Sequence, residues 1–225
     1  RIINCNIGIY AKGYSDNIWE RVWHLQISNN WFGSSGHPNN INIKGEYAHS
    51  IVVENNALED CNTSIYLYCC KTWIIANNWF DDNSNYGIYF AEPPSEYYYE
   101  ATVIGNHFTD CGENGASIYI SFRATNIKIQ DNCIRYPPND GIVILGRYNM
   151  IIGNEIIGKS TSNIGINATY DAKLGIISAN TIKANFNTGL YYNVSLAYEI
   201  ISNNHITNCD TGLTIDTDHS VITGN

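Results

Sequence analysis

The sequence carries little charge, and few of its charges are basic. Only 15% of the 225 residues are charged, and 12 basic residues stand against 21 acidic ones, so the net charge is -9. Binding to nucleic acid needs a concentration of Lys and Arg that this composition lacks, and anionic membrane surfaces repel an acidic chain. Surface polarity must therefore come from Asn, Ser, Thr and Tyr, which suit hydrogen bonding to uncharged partners such as glycans.

Long hydrophobic runs are also missing. No run of 18 apolar residues occurs, which argues against a transmembrane helix and membrane insertion. No segment has a sustained helical period with a cap and a stop. The seven cysteines lack the spacing of a zinc site, because Cys69 and Cys70 are adjacent and the others lie far apart. We therefore expect no cysteine-bound metal and no bound cofactor.

A repeat dominates the sequence instead. The phrase Asn-x-[Ile/Phe/Leu] recurs every 21 to 28 residues, after short runs such as WIIA and IKIQ. A Gly-apolar-x-apolar segment follows most copies, as at Gly87 and Gly141. Self-similarity at this period is typical of a solenoid. The recurring asparagines are Asn30, Asn56, Asn78, Asn106, Asn132, Asn154, Asn180 and Asn204, with Asn225 at the last position.

Short alternating apolar segments separated by turns rich in Gly, Asn, Asp and Ser indicate an all-β fold. We predict a single-stranded right-handed parallel β-helix of about nine rungs, each built from three short strands. Successive asparagines would stack about 4.8 Å apart, so their amides can form a ladder of hydrogen bonds at one turn. Since Asn tolerates the left-handed backbone conformation, we expect the ladder asparagines themselves to occupy that tight turn.

The Asn column and the Gly-Ile-x-Ile strands resemble the pectate-lyase-like β-helix superfamily, most closely its carbohydrate-binding and sugar-hydrolase repeat branch. The resemblance covers the whole chain and implies a secreted or cell-surface protein. It implies no single function, because lyases, hydrolases, epimerases, phage spikes and surface proteins share the fold. Solenoids need terminal caps and neither end shows one, so we expect residues 1–225 to form one domain cut from a longer chain.

The repeat also predicts the state of the cysteines. Cys5, Cys61 and Cys111 fall in one register on alternate rungs. Alternate rungs are about 10 Å apart, whereas the Cα atoms of a disulfide lie within about 7 Å. We expect unpaired thiols that fill the core.

An outward column of tyrosines is the first candidate site. In family members that act on polysaccharides, the groove lies along this kind of strand, and tyrosines offer flat faces and hydroxyls to sugars. Rings that only stabilise the sheet are the alternative. The predicted column is Tyr10, Asn42, Tyr66, Tyr89, Tyr119, Val143, Asn167, Tyr191 and Thr214. Loop 92–100 adds Tyr97, Tyr98 and Tyr99, which could bind a ligand, pack on themselves or contact a neighbouring subunit.

Three acids form the second candidate site. Asp60, Asp82 and Asp110 each lie four residues after a ladder Asn on consecutive rungs. In-register carboxylates about 5 Å apart would raise a pKa or recruit a cation such as Ca²⁺. Retaining glycosidases hold two carboxylates at about this distance. The alternative is that each Asp caps its own turn.

Other motifs give less. Fragments similar to polygalacturonase motifs lie at 36–37, 81–82 and 139–140, in reverse order, and no Arg-x-Lys follows. Residues 216–219 have ligand-type side chains, which we expect to form a solvated loop. Glycosylation sequons start at Asn62, Asn167 and Asn193.

Two main hypotheses follow. The first is an extracellular or cell-surface scaffold that is structural or glycan-binding, with polysaccharide or neighbouring copies as partners. The second is a polysaccharide lyase, hydrolase or epimerase acting along the tyrosine column. A receptor-binding shaft of a virion is a third. The first is favoured because no family catalytic motif is intact.

Overall fold

A computed structural model of the chain describes residues 1–2, 5–13, 22–33, 39–94, 97–159, 163–173, 175–194, 198–217 and 220–225, without the side chains of 22, 97 and 98. All regular secondary structure in this part of the chain is β. No helix in it is long and apolar enough to cross a membrane.

The strands, in chain order, are β1 (Ile7–Lys12), β2 (Val22–Trp23), β3 (Gln26–Ser28), β4 (Trp31–Phe32), β5 (Asn39–Glu46), β6 (Ala48–His49), β7 (Val52–Glu54), β8 (Ala57–Tyr68), β9 (Ile74–Ala76), β10 (Trp79–Phe90), β11 (Tyr97–Ile104), β12 (His107–Thr109), β13 (Ala116–Ile120), β14 (Ala124–Gln130), β15 (Cys133–Arg135), β16 (Asp140–Ile144), β17 (Met150–Ile152), β18 (Glu155–Ile157), β19 (Ile164–Thr169), β20 (Ile176–Ser178), β21 (Thr181–Lys183), β22 (Thr188–Asn193), β23 (Ile200–Ser202), β24 (His205–Thr207), β25 (Thr211–Asp216) and β26 (Val221–Thr223).

These strands form a parallel β-helix, as predicted. A nine-stranded sheet runs in the order β3-β7-β9-β11-β14-β17-β20-β23-β26, so successive rungs stack in chain order. A fifteen-stranded sheet bends into two further faces, because β8 and β10 cross the corner as single 12-residue strands. A short pair, β2 with β6, completes the set.

We name the two faces of the bent sheet by their outward residues. The tryptophan face consists of β4, residues 57–59 and 79–81, β12, β15, β18, β21 and β24. The tyrosine face consists of β1, β5, residues 63–68 and 86–90, β13, β16, β19, β22 and β25.

The core is a set of stacked apolar columns. Alternation sends one residue of each short strand inward, and register repeats that residue on the next rung. Phe80 and Phe108 stack with ring centroids 4.3 Å apart, and Leu58 and Ile134 continue their column. All four are fully buried. Burying apolar area in this way is the main favourable contribution to folding.

The predicted asparagine ladder is present. From Asn30 to Asn225, the backbone N–H and the Nδ2 of each ladder asparagine donate to Oδ1 of the next, at 2.9 to 3.2 Å. Nδ2 also donates to carbonyls, as Asn106 does to Ile75 and Ile104. The side chain therefore replaces sheet hydrogen bonds at a corner where the backbone cannot make them.

The expected backbone conformation of the ladder was wrong by one position. The left-handed residue is the one before each ladder asparagine, for example Asn77 (φ 55°), Gly105 (φ 65°) and Asp131 (φ 52°). The reason is that the ladder residue must direct both its N–H and its amide at the next rung. The chain has therefore to turn before it.

A second buried polar column runs through the cysteines. Cys61 lies in register between Asn39 and Asn83, and its thiol donates to Asn83 Oδ1 at 2.9 Å. Nδ2 of Asn83 donates in turn to Sγ of Cys111 at 3.2 Å. The series starts where the backbone N–H of Cys5 donates to Oδ1 of Asn39 at 2.8 Å. The cysteines thus alternate with asparagines and are free thiols, as predicted.

One predicted outward residue, Asn42, is buried instead. Register pairs Tyr10 with Lys44 and Lys44 with Tyr66, so Lys44 holds the outward position. Oδ1 of Asn42 accepts a hydrogen bond from Asn39 at 2.8 Å. The alternating residues 40–43 resemble the repeat pattern, but the true outward position comes two residues later. The buried Asn42 amide forms hydrogen bonds with neighbouring side chains.

Candidate functional site

Four tyrosines form a cluster at the middle of the tyrosine face. Tyr66, Tyr89 and Tyr119 lie in register, and Tyr89 meets each of the other two edge-to-face at 5.4 Å. Tyr86, which the sequence prediction omitted, stacks on Tyr89 at 4.7 Å. Burial and the neighbouring phenols and Glu92 raise the pKa of Tyr89 to about 12. The hydroxyls are therefore protonated at neutral pH.

Charged residues flank this cluster on the Tyr10 side. The Tyr10 hydroxyl donates a hydrogen bond to Glu46, and Lys44 forms an ion pair with Glu46 at 2.6 Å. The Lys44 ammonium lies 5.0 Å from the Tyr10 ring centroid and 5.5 Å from that of Tyr66. Cation–π contacts of this kind hold the rings in place and leave their edges exposed.

The remaining predicted tyrosines are separate from the cluster. Tyr191 lies beyond the rungs of Val143 and Asn167, and its hydroxyl accepts a hydrogen bond from Asn193 at 3.0 Å. Tyr99 is fully buried and donates to the carbonyl of Ala91 at 2.6 Å, so it packs in the core rather than presenting its ring to a ligand. The side chains of Tyr97 and Tyr98 lie outside the described residues.

An acidic groove lies at the corner where β10 passes from the tryptophan face to the tyrosine face. Its volume is about 480 Å³, and its lining is Asp81, Asp82, Asn83, Ser84, Asp110, Glu113, Pro138 and Lys159. Asp82 and Asp110 are thus brought together, but Asp60 is not in the lining. Asp81, which lies outside the predicted column, is in the lining.

The three aligned aspartates share a backbone role. Asp60, Asp82 and Asp110 have φ of 46°, 49° and 48°, and Tyr136 and Asn208 are left-handed at the same place on later rungs. The turn therefore accounts for the column without any ligand. What distinguishes Asp82 and Asp110 is the groove that they share with Lys159.

The carboxyl groups of the groove differ in their surroundings. Burial raises the pKa of Asp81, and the charges of Glu59, Asp82 and Asp110 raise it further, against a hydrogen bond from Trp79. Asp110 forms an ion pair with Lys159 at 2.8 Å, which raises the pKa of Lys159. In the described part of the chain, no three His, Cys, Asp or Glu side chains are arranged to hold a metal ion.

Sequence reasoning missed the aromatic column of the tryptophan face. Trp31 and Trp79 each follow a ladder asparagine, and 42% and 46% of their surfaces are exposed. The Arg1 guanidinium lies 4.0 Å from the Trp31 ring centroid, and His107 stacks on Trp79 at 4.4 Å and 17°. Burial and Arg135 lower the pKa of His107, so its ring is neutral at pH 7. The signal was the repeated phrase NNWF, which places an outward Trp at two positions.

A sequence profile described as the right-handed β-helix region matches residues 1–156 and 96–225. The chain belongs to the right-handed β-helix family. This agrees with the fold that the repeat predicted and with the family resemblance of the Asn column and the Gly-Ile-x-Ile strands. No curated protein matches the sequence.

Solved structures similar to this β-helix share its fold at low identity. A mutant tailspike protein of E. coli bacteriophage HK620 in complex with a pentasaccharide matches with a TM-score of 0.64, 11% identity, 96% of this chain and 44% of the tailspike. An alginate lyase from Paenibacillus sp. str. FPU-7 matches with a TM-score of 0.50, 12% identity, 89% of this chain and 91% of the lyase. The β-helix therefore spans less than half of the tailspike's length.

The asparagines of the glycosylation sequons differ in solvent exposure. Asn62 is exposed and donates to Asn40 Oδ1 at 2.6 Å. Asn167 is half-buried, and its Nδ2 donates to Asp140 at 2.9 Å. A glycan on Asn167 would replace one N–H of the amide that bonds to Asp140, whose pKa is raised by burial. Use of the three sequons stays a prediction.

Proposed function

We propose that this β-helix is part of an extracellular or cell-surface protein and binds a neutral glycan through the tyrosine cluster and the acidic groove. One observation carries the proposal: the cluster and the groove are both built on strand β10. Strand β10 supplies Asp81, Asp82 and Ser84 to the groove and Tyr86 and Tyr89 to the cluster. Flat rings for sugar C–H bonds thus adjoin hydrogen-bonding groups for sugar hydroxyls.

Charge favours a neutral ligand. Asp81, Asp82, Asp110 and Glu113 face the groove with Lys159 as the only cation in its lining. A uronate polysaccharide would bring further negative charges against these carboxylates, which is unfavourable. Neutral sugars offer hydroxyl donors that carboxylates accept well, and charge-assisted hydrogen bonds are the stronger kind.

The similar structures add limited support. The tailspike was solved with a pentasaccharide, and the Paenibacillus protein is an alginate lyase. At 11% and 12% identity, these likenesses concern the fold. The ligand class is therefore proposed from the surface of this chain.

A glycoside-cleaving activity is the second candidate, and the environment of Asp81 favours it. A carboxyl group that keeps its proton to higher pH suits a general acid, and it lies in one groove with the ion-paired Asp110. Paired carboxyl groups of unlike environment are what glycoside hydrolysis requires. If these acids bound Ca²⁺, the corresponding activity would be that of a Ca²⁺-dependent lyase.

The test is binding and turnover with a panel of neutral and acidic polysaccharides, each with and without Ca²⁺. We expect the wild type to bind the neutral polysaccharides and Tyr89→Ala to lose this binding. The exposed control Tyr198→Ala should bind like the wild type. New reducing ends that disappear in Asp81→Asn would establish the hydrolase instead. Preference for uronates, or retention of binding in Tyr89→Ala, would contradict the proposal.

A further inference from the structure

We infer that the tryptophan face holds a sugar-binding subsite, a slot between Trp31 and Trp79 above Ala57 that takes one sugar ring. This inference rests on the proposed function, because it takes the ligand to be a glycan. It assigns a binding role to side chains that neither the tyrosine cluster nor the acidic groove includes.

The slot follows from strand register. Trp31 pairs with Ala57, and Ala57 pairs with Trp79, so the two indoles occupy one outward column two strand spacings apart. Two spacings amount to about 9.5 Å. Between them Ala57 projects only a methyl group. The column therefore has a gap at the height of one rung.

Each indole is held by a neighbour on the outer side of the pair. Arg1 precedes Ile2, which bridges to Phe32, so the guanidinium stacks on Trp31 from the rung before. His107 stacks on Trp79 from the rung after, nearly coplanar at 17°. Each indole thus has one face against a neighbour and its other face toward Ala57. Exposures of 42% and 46% agree with an open gap.

The size of the gap selects a single ring. Trp79 and His107 fill one strand spacing with a centroid distance of 4.4 Å. A ring inserted midway over Ala57 would lie about 4.7 Å from both indoles. A pyranose has C–H bonds on both faces, and the negative faces of two indoles attract them.

Polar groups beside the slot favour a sugar over an apolar side chain. The indole N–H of Trp31 donates to Glu59 at 2.9 Å, and Asp81 accepts a hydrogen bond from Trp79. These bonds orient the rings. Carboxylate oxygens remain at the rim, where sugar hydroxyls can donate to them. Asp81 also lines the acidic groove, so one glycan chain can occupy groove and slot together.

The experiment titrates the 225-residue chain with hexasaccharides of glucose, xylose, mannose and N-acetylglucosamine, by calorimetry and by tryptophan fluorescence. We expect a bound hexasaccharide to shift tryptophan emission to the blue. Trp31→Ala and Trp79→Ala should each weaken binding about tenfold. Ala57→Leu should do the same by filling the slot while keeping both indoles. If that variant is unstable, Ala57→Val should give an intermediate loss.

The control is Trp23→Ala, since Trp23 is similarly exposed at 44% but lies on β2, against His49. It should bind like the wild type. Binding that is unchanged in the slot variants and abolished in Tyr89→Ala would overturn the slot and leave the proposed function intact. No binding of any saccharide by the wild type would overturn both. Saturable binding of indole or phenylalanine amide, with no response to any saccharide, would indicate that the slot takes an aromatic side chain of a partner. That result would overturn the assignment of the slot to a sugar.

Discussion

Nδ2 of Asn106 donates to Oδ1 of Asn132 at 3.0 Å, in the middle of the ladder, where both side chains are buried. Asn106 also accepts two hydrogen bonds from Asn78, at 2.9 and 3.0 Å. Asn106→Ala would leave the buried backbone N–H of Asn78 without its partner and would remove further hydrogen bonds to Asn78, Asn132 and Ile75. We expect a loss of about 2–4 kcal/mol in the free energy of unfolding, measured by urea denaturation.

The matched control for the ladder is Asn114→Ala, because Asn114 is exposed and bonds only to Asn85 and backbone groups nearby. Its stability should stay within about 0.5 kcal/mol of the wild type. Equal stability of the two variants would show that the ladder contributes nothing beyond ordinary packing.

Glycines at the start of the tyrosine-face strands form a second matched pair. A Cβ on Gly165 would lie 2.5 Å from the carbonyl oxygen of Gly189 and 2.5 Å from Ile182. A Cβ on Gly212 would meet nothing within 4 Å. We expect Gly165→Ala to lose about 1–3 kcal/mol of unfolding free energy through overpacking. Gly212→Ala should be neutral or slightly stabilising, because alanine restricts the unfolded chain. Thermal melts of both variants would check this, and a destabilised Gly212→Ala would contradict it.

The acidic groove predicts a pH-dependent effect of Asp81→Asn. The pKa of Asp81 is higher in the folded than in the unfolded chain, so its ionisation opposes folding. The penalty is complete above the raised pKa and absent below the usual value of 3.8. Asparagine removes the charge and still accepts the Trp79 hydrogen bond. We expect the variant to be more stable at pH 7 by a few tenths of a kcal/mol, since solvent screens a half-exposed group.

Denaturation curves at pH 7 and pH 3.5 should show this advantage shrinking as the pH falls. An advantage that is the same at both pH values would mean that packing, and not charge, is responsible.

Thiol labelling should separate the cysteines by burial. Burial raises the pKa of Cys61, Cys70 and Cys111 to about 12, so almost no thiolate forms at pH 8. Cys133 and Cys209 are half-buried. Burial raises the pKa of Cys209 as well, so iodoacetamide at pH 8 should label Cys133 first, Cys209 more slowly and the fully buried thiols only after denaturation, as peptide mass spectrometry would show. Fast labelling of Cys61 would indicate that its rung opens readily.

The repeat made the columns predictable from sequence. Spacing fixed the ladder asparagines and core residues such as Phe80, because a rung can stack only if inward positions recur. The groove could not be predicted in the same way, since it depends on how β10 bends at its corner. That bend admits Asp81 beside Asp82 and leaves Asp60 outside. The burial of Asn42 could not be predicted either, because the strand pairs with its neighbours two residues away from the register that the local pattern indicated.

The tryptophan slot was present in the sequence but needed a different alignment. The residue after each ladder asparagine gives Trp31, Ala57 and Trp79 in order. Its interpretation also required the positions of the Arg1 guanidinium and the His107 ring against the two indoles, which no sequence pattern predicts.

The asparagine ladder also has a direction. Every amide-to-amide bond of the ladder runs from one asparagine to the next along the chain, whereas the bonds from Nδ2 to the preceding rung end on backbone carbonyls. The side-chain amides are therefore all oriented the same way, and their dipoles add, as peptide dipoles do in an α-helix. A cut between two rungs leaves ladder N–H groups without their Oδ1 acceptor on the first surface and an Oδ1 without its donors on the second. Two such surfaces join head to tail, whereas like ends repel. Grafting or duplicating rungs in this protein must therefore preserve chain polarity as well as register.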